Sequence, residues 1–243
     1  MRGRREVAWL QRMPRRRHGT REYVAHGHAA SIVSAERAAC ARETDADMRT
    51  LIAVEFSSLD GVMQSPGRAD EDTSDGFTRG GWAANHMAGD PEAGAAAMAG
   101  SGATEGMVFG RRTYDDLVGH WLTTSEPNPF TDVLRETPKF VASRNPAAEL
   151  PHPNSELVAG EAVDTIAHLK EAGDGELVML GSATLLHSLQ RADLIDGYIL
   201  TILPVTVGGG KRLFADDTVP ATLTLTRSVV TQKGAIVAEY RRP

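Results

Sequence analysis

The sequence contains two copies of one local pattern, a short apolar run followed by a glycine turn and a helical segment. In the first copy Gly106–Phe109 leads into Gly110, and in the second Leu177–Leu180 leads into Gly181. Apolar runs without alternation predict strands that are buried on both faces of a parallel sheet. Glycine lets the backbone turn without a Cβ clash. Two such units restrict the fold to the α/β class.

The order of the remaining elements extends this prediction to the whole sheet. Segments with a strand pattern precede helical segments through most of the chain. In the last two predicted strands apolar and polar residues alternate, which indicates that these strands pair as an antiparallel hairpin. We therefore predict one mixed, mostly parallel sheet with helices on both faces. The further predicted strands are Thr50–Ser57, Lys139–Ser143, Glu156–Ala159, Gly197–Val205, Ala221–Val230 and Ala235–Arg241.

Each glycine turn precedes a helix N-terminus, which presents free N–H groups and the positive end of the helix dipole to an anion. Ser182 or Thr184 is placed to cap the second helix. Arg111 and Arg112 follow the first glycine, where their charge opposes the helix dipole. A bound phosphate explains these arginines better than a solvated surface does, because Arg makes forked contacts with phosphate oxygens. An ordinary βα turn remains the alternative for either unit.

The first 47 residues differ in charge from the rest of the chain. They hold ten Arg, no Lys and six acidic residues, whereas the whole chain of 243 residues has a net charge of −6. Residues 1–47 show no sustained apolar periodicity, so we expect a disordered, Arg-rich extension. Met48 stands directly before the first convincing strand, so we expect residues 48–243 to form the folded domain.

Composition excludes several classes of function. Cys40 is the only cysteine, so an internal disulfide framework and a cysteine-rich zinc site are excluded, which fits a reducing cytoplasm. No apolar run approaches the roughly 20 residues of a membrane span. The negative net charge gives no reason to expect nucleic-acid binding. We therefore expect a cytoplasmic protein without a metal, a membrane partner or a nucleic-acid partner.

Several motifs stand in the order of one family. The sequence resembles the dihydrofolate-reductase-like reductases, and most of all the C-terminal reductase domain of the bifunctional riboflavin-biosynthesis deaminase-reductase in its stand-alone form. The resemblance covers residues 48–243 and implies a three-layer αβα fold. No zinc-deaminase signature accompanies it. The motifs are Ser58–Gly61, Gly110–Tyr114 with Trp121, Lys139–Ser143, Leu180–Ser182 and, most specific of all, Asp193–Phe214.

The resemblance implies NADPH as the cofactor and assigns its contacts to three turns. Gly110, Arg111 and Thr113, with Arg112 beside them, would approach the pyrophosphate and the adenosine phosphate. Ser143 and Arg144 would lie near the 2′-phosphate. The second glycine turn departs from the family pattern, which often has Gly-Gly where this chain has Gly-Ser. The residues implied to hold the pyrophosphate from that side are Gly181, Ser182, Ala183 and Thr184.

Four further residues are candidates for the substrate side of the site. The resemblance implies that Asp60 and Gly61 border the nicotinamide and the substrate. Asp60 is the candidate for orienting substrate or relaying a proton, with turn capping as the alternative. Trp82 and Trp121 are candidates for the walls of a substrate pocket, with core packing as the alternative.

These expectations lead to one main hypothesis and two alternatives. The main hypothesis is hydride transfer from NADPH to a pterin-like or ribosylaminopyrimidine substrate, as in 5-amino-6-(5-phosphoribosylamino)uracil reductase. The alternatives are a dihydrofolate reductase, and an inactive dimeric nucleotide-binding protein that kept the fold. The first alternative lacks an acidic residue early on the helix after the first strand. We also expect a homodimer, because Gly197–Val205 and the strands after it carry apolar side chains that the remaining helices do not cover.

Overall fold

The computed structural model describes residues 48–99 and 104–243, and the described residues form one eight-stranded sheet. The extension predicted over residues 1–47 lies outside the described residues. The strands are β1 (Thr50–Ser58), β2 (Thr104–Gly110), β3 (Lys139–Ser143), β4 (Ser155–Ala159), β5 (Glu176–Leu180), β6 (Gly197–Leu203), β7 (Thr224–Val230) and β8 (Ile236–Arg241).

Six helical elements of more than one turn connect the strands in the described part of the chain. The third is continuous but irregular, because a π turn at Tyr114–Val118 lies between α-helical pieces at Arg111–Thr113 and Gly119–Thr123. π turns inside α-helices are frequent at functional sites. The helices are α1 (Ala84–Ala88), α2 (Pro91–Ala99), α3 (the three pieces from Arg111 to Thr123), α4 (Pro129–Glu136), α5 (Ala162–Glu171) and α6 (Ala183–Arg191).

The strand order is β4-β3-β2-β5-β1-β6-β8-β7. The strands from β1 to β6 pair in parallel, and β8 runs antiparallel to both β6 and β7. The predicted fold class is therefore confirmed, including the mostly parallel mixed sheet and the C-terminal antiparallel hairpin. The parallel arrangement places the carboxyl ends of β2, β3 and β5 at one edge of the sheet.

The central strands carry apolar runs because both of their faces are covered. Leu177 of β5 packs into a cluster with Ile166 of α5 and Leu186 of α6. The next residue, Val178, packs on the other face in a cluster that includes Leu134 of α4. Successive side chains of a strand point to opposite faces, so an uninterrupted apolar run is what two helical layers require.

The structure corrects one expectation about the C-terminal strands. β6 is an interior strand between β1 and β8, and Ile199 and Leu203 are fully buried within this chain. The outermost strand on that side is β7, where Leu225 is 51% and Val230 69% exposed. The apolar surface expected on β6 is therefore covered by the fold itself, and the edge strand with exposed apolar residues is β7. Among the described residues, no helix is long and apolar enough to cross a membrane.

Candidate active site

A large cavity of about 1400 Å³ opens at the carboxyl ends of β2, β3 and β5. Ligands of open α/β sheets bind outside the carboxyl ends of the strands. Every residue that the sequence assigned to cofactor binding lines this cavity. They are Gly110, Arg111, Arg112, Thr113, Ser143, Arg144, Gly181, Ser182, Ala183 and Thr184.

The two glycine turns are in direct contact. The N–H of Gly110 donates to the Ser182 hydroxyl at 2.9 Å. In the opposite direction, a Cβ built on Gly181 would stand 3.1 Å from the methyl group of Thr113. Gly181 and Ser182 both adopt left-handed backbone conformations, with φ of 58° and 60°. The turns after β2 and β5 therefore form one interlocked surface at the mouth of the cavity.

Both helices that leave these turns begin without a side-chain cap. Ser182 is the N-cap residue of α6, as predicted, but its side chain makes no capping hydrogen bond. Its hydroxyl instead accepts from Gly110. Gly110, the N-cap residue of α3, has no side chain to offer. The N–H groups in the first turn of a helix have no intrahelical acceptor, so both N-termini remain free to bind phosphate oxygens.

The three arginines that follow β2 and β3 add positive charge to the lining, and each already contacts an acidic residue. Arg111 donates from Nε to Asp115 at 2.7 Å, an i,i+4 pair that raises the pKa of the guanidinium further. The shortest contact of Arg112 is from Nη1 to Asp72, at 3.6 Å, and Arg144 lies 3.3 Å from Glu161. The side chains of Arg112 and Arg144 are 71% and 83% exposed, so they are accessible to a bound phosphate.

These features fit a dinucleotide phosphate cofactor. Two uncapped helix N-termini and three arginines surround one cavity, and the glycines allow close approach of a ligand to the backbone. The Gly-Ser pair at the second turn does not obstruct this arrangement, because the Ser182 hydroxyl bonds to the neighbouring turn.

The residues predicted for the substrate side divide into two groups. Trp121 lines the cavity and packs edge-on against Phe130, with ring centroids 6.2 Å apart. Trp82 and Gly61 do not belong to the lining. The indole N–H of Trp82 donates to the carbonyl of Gln64 at 2.8 Å, and Gly61 stands in a turn with φ of 82°. The cavity thus brings Trp121 together with the cofactor residues and leaves Trp82 and Gly61 outside.

Asp60 also lies outside the cavity lining. Its hydrogen bonds connect the loop after β1 to the loop after β6. The hydroxyl of Ser58 donates to Asp60 at 2.7 Å, and the N–H groups of Val207 and Gly208 donate at 2.9 and 2.7 Å. These hydrogen bonds hold the pKa of Asp60 well below its usual range. A carboxylate stabilised in this way does not release or accept a proton near neutral pH, so its geometry matches the turn-capping alternative.

Sequence reasoning missed a charged residue inside the first strand. Glu55 is only 5% exposed and lines the cavity, and its Oε2 accepts from the N–H of Gly181 at 3.2 Å. Burial raises its pKa well above the usual value, and the Gly181 hydrogen bond only partly opposes this effect. The available signal was a lone acid between Val54 and Phe56 in an apolar strand, because buried carboxyl groups without an ionic partner are rare.

The long polar loop between β1 and α1 covers part of the cavity. Arg68 in this loop forms an ion pair with Asp116 in the π turn of α3. Lys211 pairs with Asp72 of the same loop at 2.7 Å. All four side chains line the cavity, so the loop forms one of its walls. Among residues 48–99 and 104–243, no group of three or more His, Cys, Asp or Glu side chains is placed to hold a metal ion.

The fold and the cleft define a dihydrofolate-reductase-like α/β domain. A model of the RibD C-terminal domain family matches residues 49–237, which is most of the chain. The protein belongs to the RibD C-terminal domain family, and the resemblance stated from the sequence is confirmed. This family membership supports an oxidoreductase of the riboflavin-biosynthesis reductase type.

Solved structures share the fold. A protein assigned to riboflavin biosynthesis from Shewanella sp. PV-4 is 24% identical, with a TM-score of 0.55, and the match covers 80% of this chain and 99% of that one. The diaminohydroxyphosphoribosylaminopyrimidine deaminase/5-amino-6-(5-phosphoribosylamino)uracil reductase of Thermotoga maritima is 17% identical, with a TM-score of 0.52 and coverage of 81% and 57%. RibD of Acinetobacter baumannii is 13% identical, with a TM-score of 0.50 and coverage of 81% and 58%. No curated protein matches the chain.

Proposed function

We propose that this protein is an NADPH-dependent reductase that transfers hydride to a C=N or C=O carbon of a ribosylaminopyrimidine or pterin-like substrate. The 5-amino-6-(5-phosphoribosylamino)uracil named for the Thermotoga maritima structure is the first substrate to test. The observation that carries the proposal is the convergence of two βα turns and the loop after β3 on one cavity, with two uncapped helix N-termini and the three arginines of these segments.

The residues of this chain have separable roles in such a reaction. The turns at Gly110 and Gly181 would bind the pyrophosphate through backbone N–H groups, and Arg144 after β3 would favour a 2′-phosphate. Trp121 and the loop that carries Arg68 would wall the substrate end and reduce access of water. When bound, the reduced nicotinamide supplies the hydride, and the protein binds and orients the reactants.

The dihydrofolate reductase alternative depends on an acidic residue at the substrate end of the cavity, and the first helices after β1 do not supply one. Glu92 in the first turn of α2 is exposed, and it does not line the cavity. Asp90, just before that helix, is buried, and it accepts a hydrogen bond from the hydroxyl of Thr231 at 2.5 Å. Neither carboxyl group is placed to bind a pterin in this cavity, which favours a ribosylaminopyrimidine substrate.

Spectrophotometric assays of NADPH oxidation test the proposal. We expect turnover with the deaminated ribosylaminopyrimidine and at least tenfold lower kcat/KM with dihydrofolate. Faster turnover with dihydrofolate would favour the first alternative. Tight NADPH binding without oxidation by either compound would favour the inactive nucleotide-binding protein.

A further inference from the structure

The position of Glu55 follows from the unequal lengths of the strand pairings on either side of β1. The β1–β5 pairing ends at Val54 and Leu180, whereas the β1–β6 pairing continues as far as Ser58 and Leu203. Glu55 is the first residue of β1 beyond the end of β5. Its carboxyl group therefore lies where the sheet opens into the cavity, beside the Gly181 turn.

The two oxygens of this carboxyl group have different surroundings. Oε2 accepts the N–H of Gly181 at 3.2 Å, whereas Oε1 is buried and has no hydrogen-bond partner. A buried carboxylate without a partner is strongly disfavoured, so Glu55 keeps its proton and has an O–H group to donate. The raised pKa of Glu55, caused by burial, agrees with this state.

The other elements packed around Glu55 leave it without a cation. Leu185, Leu186 and Leu189 of α6 join the cluster on the face of the sheet to which Glu55 belongs. Tyr198 of β6 is also titratable, and burial raises its pKa. Within the described part of the chain, burial and the Gly181 N–H are the causes that set the pKa of Glu55, and no charged side chain is among them.

Glu55 differs in this respect from the other acids of the cavity. Each of the others has an ion pair or accepts two backbone N–H groups, although burial also raises the pKa of Glu71 and Asp116. Those acids are Glu71, Asp72, Asp116 and Glu161. Of the acidic side chains described in the lining, Glu55 alone combines deep burial with an unpaired oxygen.

We propose that Glu55 is the proton donor of the reduction, an inference that rests on the proposed function. Reduction of a C=N or C=O group breaks its π bond, and the carbon receives the hydride that the cofactor supplies. The heteroatom takes the electron pair of that bond and the proton of Glu55. Glu55 is left as a carboxylate beside Gly181, the cofactor is left oxidised, and water returns the proton before the next turnover.

Single-turnover kinetics of Glu55→Gln test this role. Glutamine has nearly the same shape and still accepts from Gly181, but it cannot transfer a proton. We expect the hydride-transfer rate to fall by about 10²- to 10⁴-fold, the usual contribution of general acid catalysis. The dissociation constant for NADPH should stay within about twofold of the wild-type value, because the phosphate-binding turns are unchanged. Glu171→Gln, an exposed change on α5 outside the lining, is the matched control.

The pH profile separates proton donation from a structural role. The wild-type rate should fall as pH rises through the raised pKa of Glu55, because the neutral acid is the active form. Glu55→Gln should lack this limb, whereas Glu55→Asp, which keeps an acid on a shorter side chain, should retain it at a reduced rate. A Glu55→Gln rate within threefold of the wild-type rate would overturn the proposal.

Infrared difference spectroscopy tests the protonation state without turnover. At pH 7 the wild-type minus Glu55→Gln spectrum should contain the C=O stretch of a protonated carboxyl group, shifted in D₂O. The band should move when the ribosylaminopyrimidine and NADP⁺ are added. If the band is absent, or if it does not move when the two ligands are added, the inference is overturned whatever the activity of the enzyme. A band that moves in a wild type that never oxidises NADPH would support the donor position and refute the proposed function.

Discussion

At the scale of single residues, the protonation of Glu55 makes a prediction about stability. Its folded-state pKa is raised by burial, so the folded protein holds a proton that the unfolded chain loses above the ordinary pKa of glutamate. The contribution of Glu55 to the stability of the wild type should therefore fall as pH rises above about 4.3. The free energy of unfolding of Glu55→Gln, relative to the wild type, should rise by up to about 1.4 kcal/mol per pH unit in this range.

Chemical denaturation between about pH 3 and pH 8 measures this difference, and an acid with the opposite shift provides the control. The hydrogen bond from Arg49 lowers the pKa of Glu105, so its contribution to stability is present above the ordinary pKa and is lost as pH falls. The deficit of Glu105→Gln should consequently shrink toward low pH. Parallel pH profiles for wild type and Glu55→Gln would show that Glu55 is ionised in the folded state.

Arg111 makes a second prediction at this scale. Its guanidinium is held by Asp115 at the start of α3, beside the Gly110 turn. Arg111→Ala should weaken NADPH binding by about 1.5–3 kcal/mol, the range for hydrogen bonds to charged groups. Calorimetric titration measures this change. Arg135→Ala removes a similar surface pair with Asp132 on α4, away from the cavity, and should leave the affinity unchanged. Equal affinity of the wild type for NADH and NADPH would contradict the assigned phosphate contacts.

At the scale of elements, the contact between the two glycine turns sets the geometry of the cleft. The turn after β2 and the turn after β5 are far apart in the sequence, yet each has a glycine against a side chain of the other. Gly110 faces Ser182 and Gly181 faces Thr113. A Cβ at Gly110 would stand 3.2 Å from the Ser182 hydroxyl and one at Gly181 3.1 Å from the Thr113 methyl group, so the facing side chain would have to shift.

Gly181→Ala is predicted to disrupt this contact. Any L-residue at its φ of 58° costs about 1–2 kcal/mol. The new methyl group would also stand 3.1 Å from that of Thr113. Gly76→Ala is the matched control, because Gly76 has a φ of 74° and a methyl group there would have nothing within 4 Å of it. Thermal unfolding should show a larger loss for Gly181→Ala, and only this variant should weaken NADPH binding. Equal losses would show that the turns do not depend on each other.

At the scale of the whole molecule, the predicted homodimer would form through β7, whereas the sequence indicated β6. β8 inserts between β6 and β7, so β6 is covered and β7 becomes the edge. Leu225 and Val230 are exposed on this edge strand, and an open apolar edge invites association. A two-fold interface is the commonest way to bury such an edge.

Light scattering at micromolar concentration tests the dimer. We expect the mass of two chains for the wild type and of one chain for a Leu225→Lys, Val230→Lys double variant, because charges on an edge strand oppose pairing. Val219→Lys changes a similarly exposed apolar residue outside β7 and should leave the dimer intact. A wild-type mass of one chain, unchanged by NADPH, would refute the dimer.

Local pattern in the sequence was sufficient for the central strands and for the two glycine turns that follow them. An apolar run, a glycine turn and a helical face each depend on residues that are neighbours in the sequence. The patterns at Gly106–Phe109 and Leu177–Leu180 were therefore sufficient to predict these two strands. Parallel strands bring their carboxyl ends to one edge, which is why Arg111, Arg144 and Ser182 could also be assigned to one site from the sequence alone.

Tertiary structure alone decided that Glu55 lines the cleft and that Asp60 does not. Asp60 stands in a loop motif that indicates function, but hydrogen bonds from Val207 and Gly208, distant in the sequence, tie it to a neighbouring loop. Glu55 stands in an ordinary strand, and its position depends on where β5 ends and β6 continues. Register between distant strands is set by the packing of the whole sheet, so neither side chain's environment can be read from its neighbours in the chain.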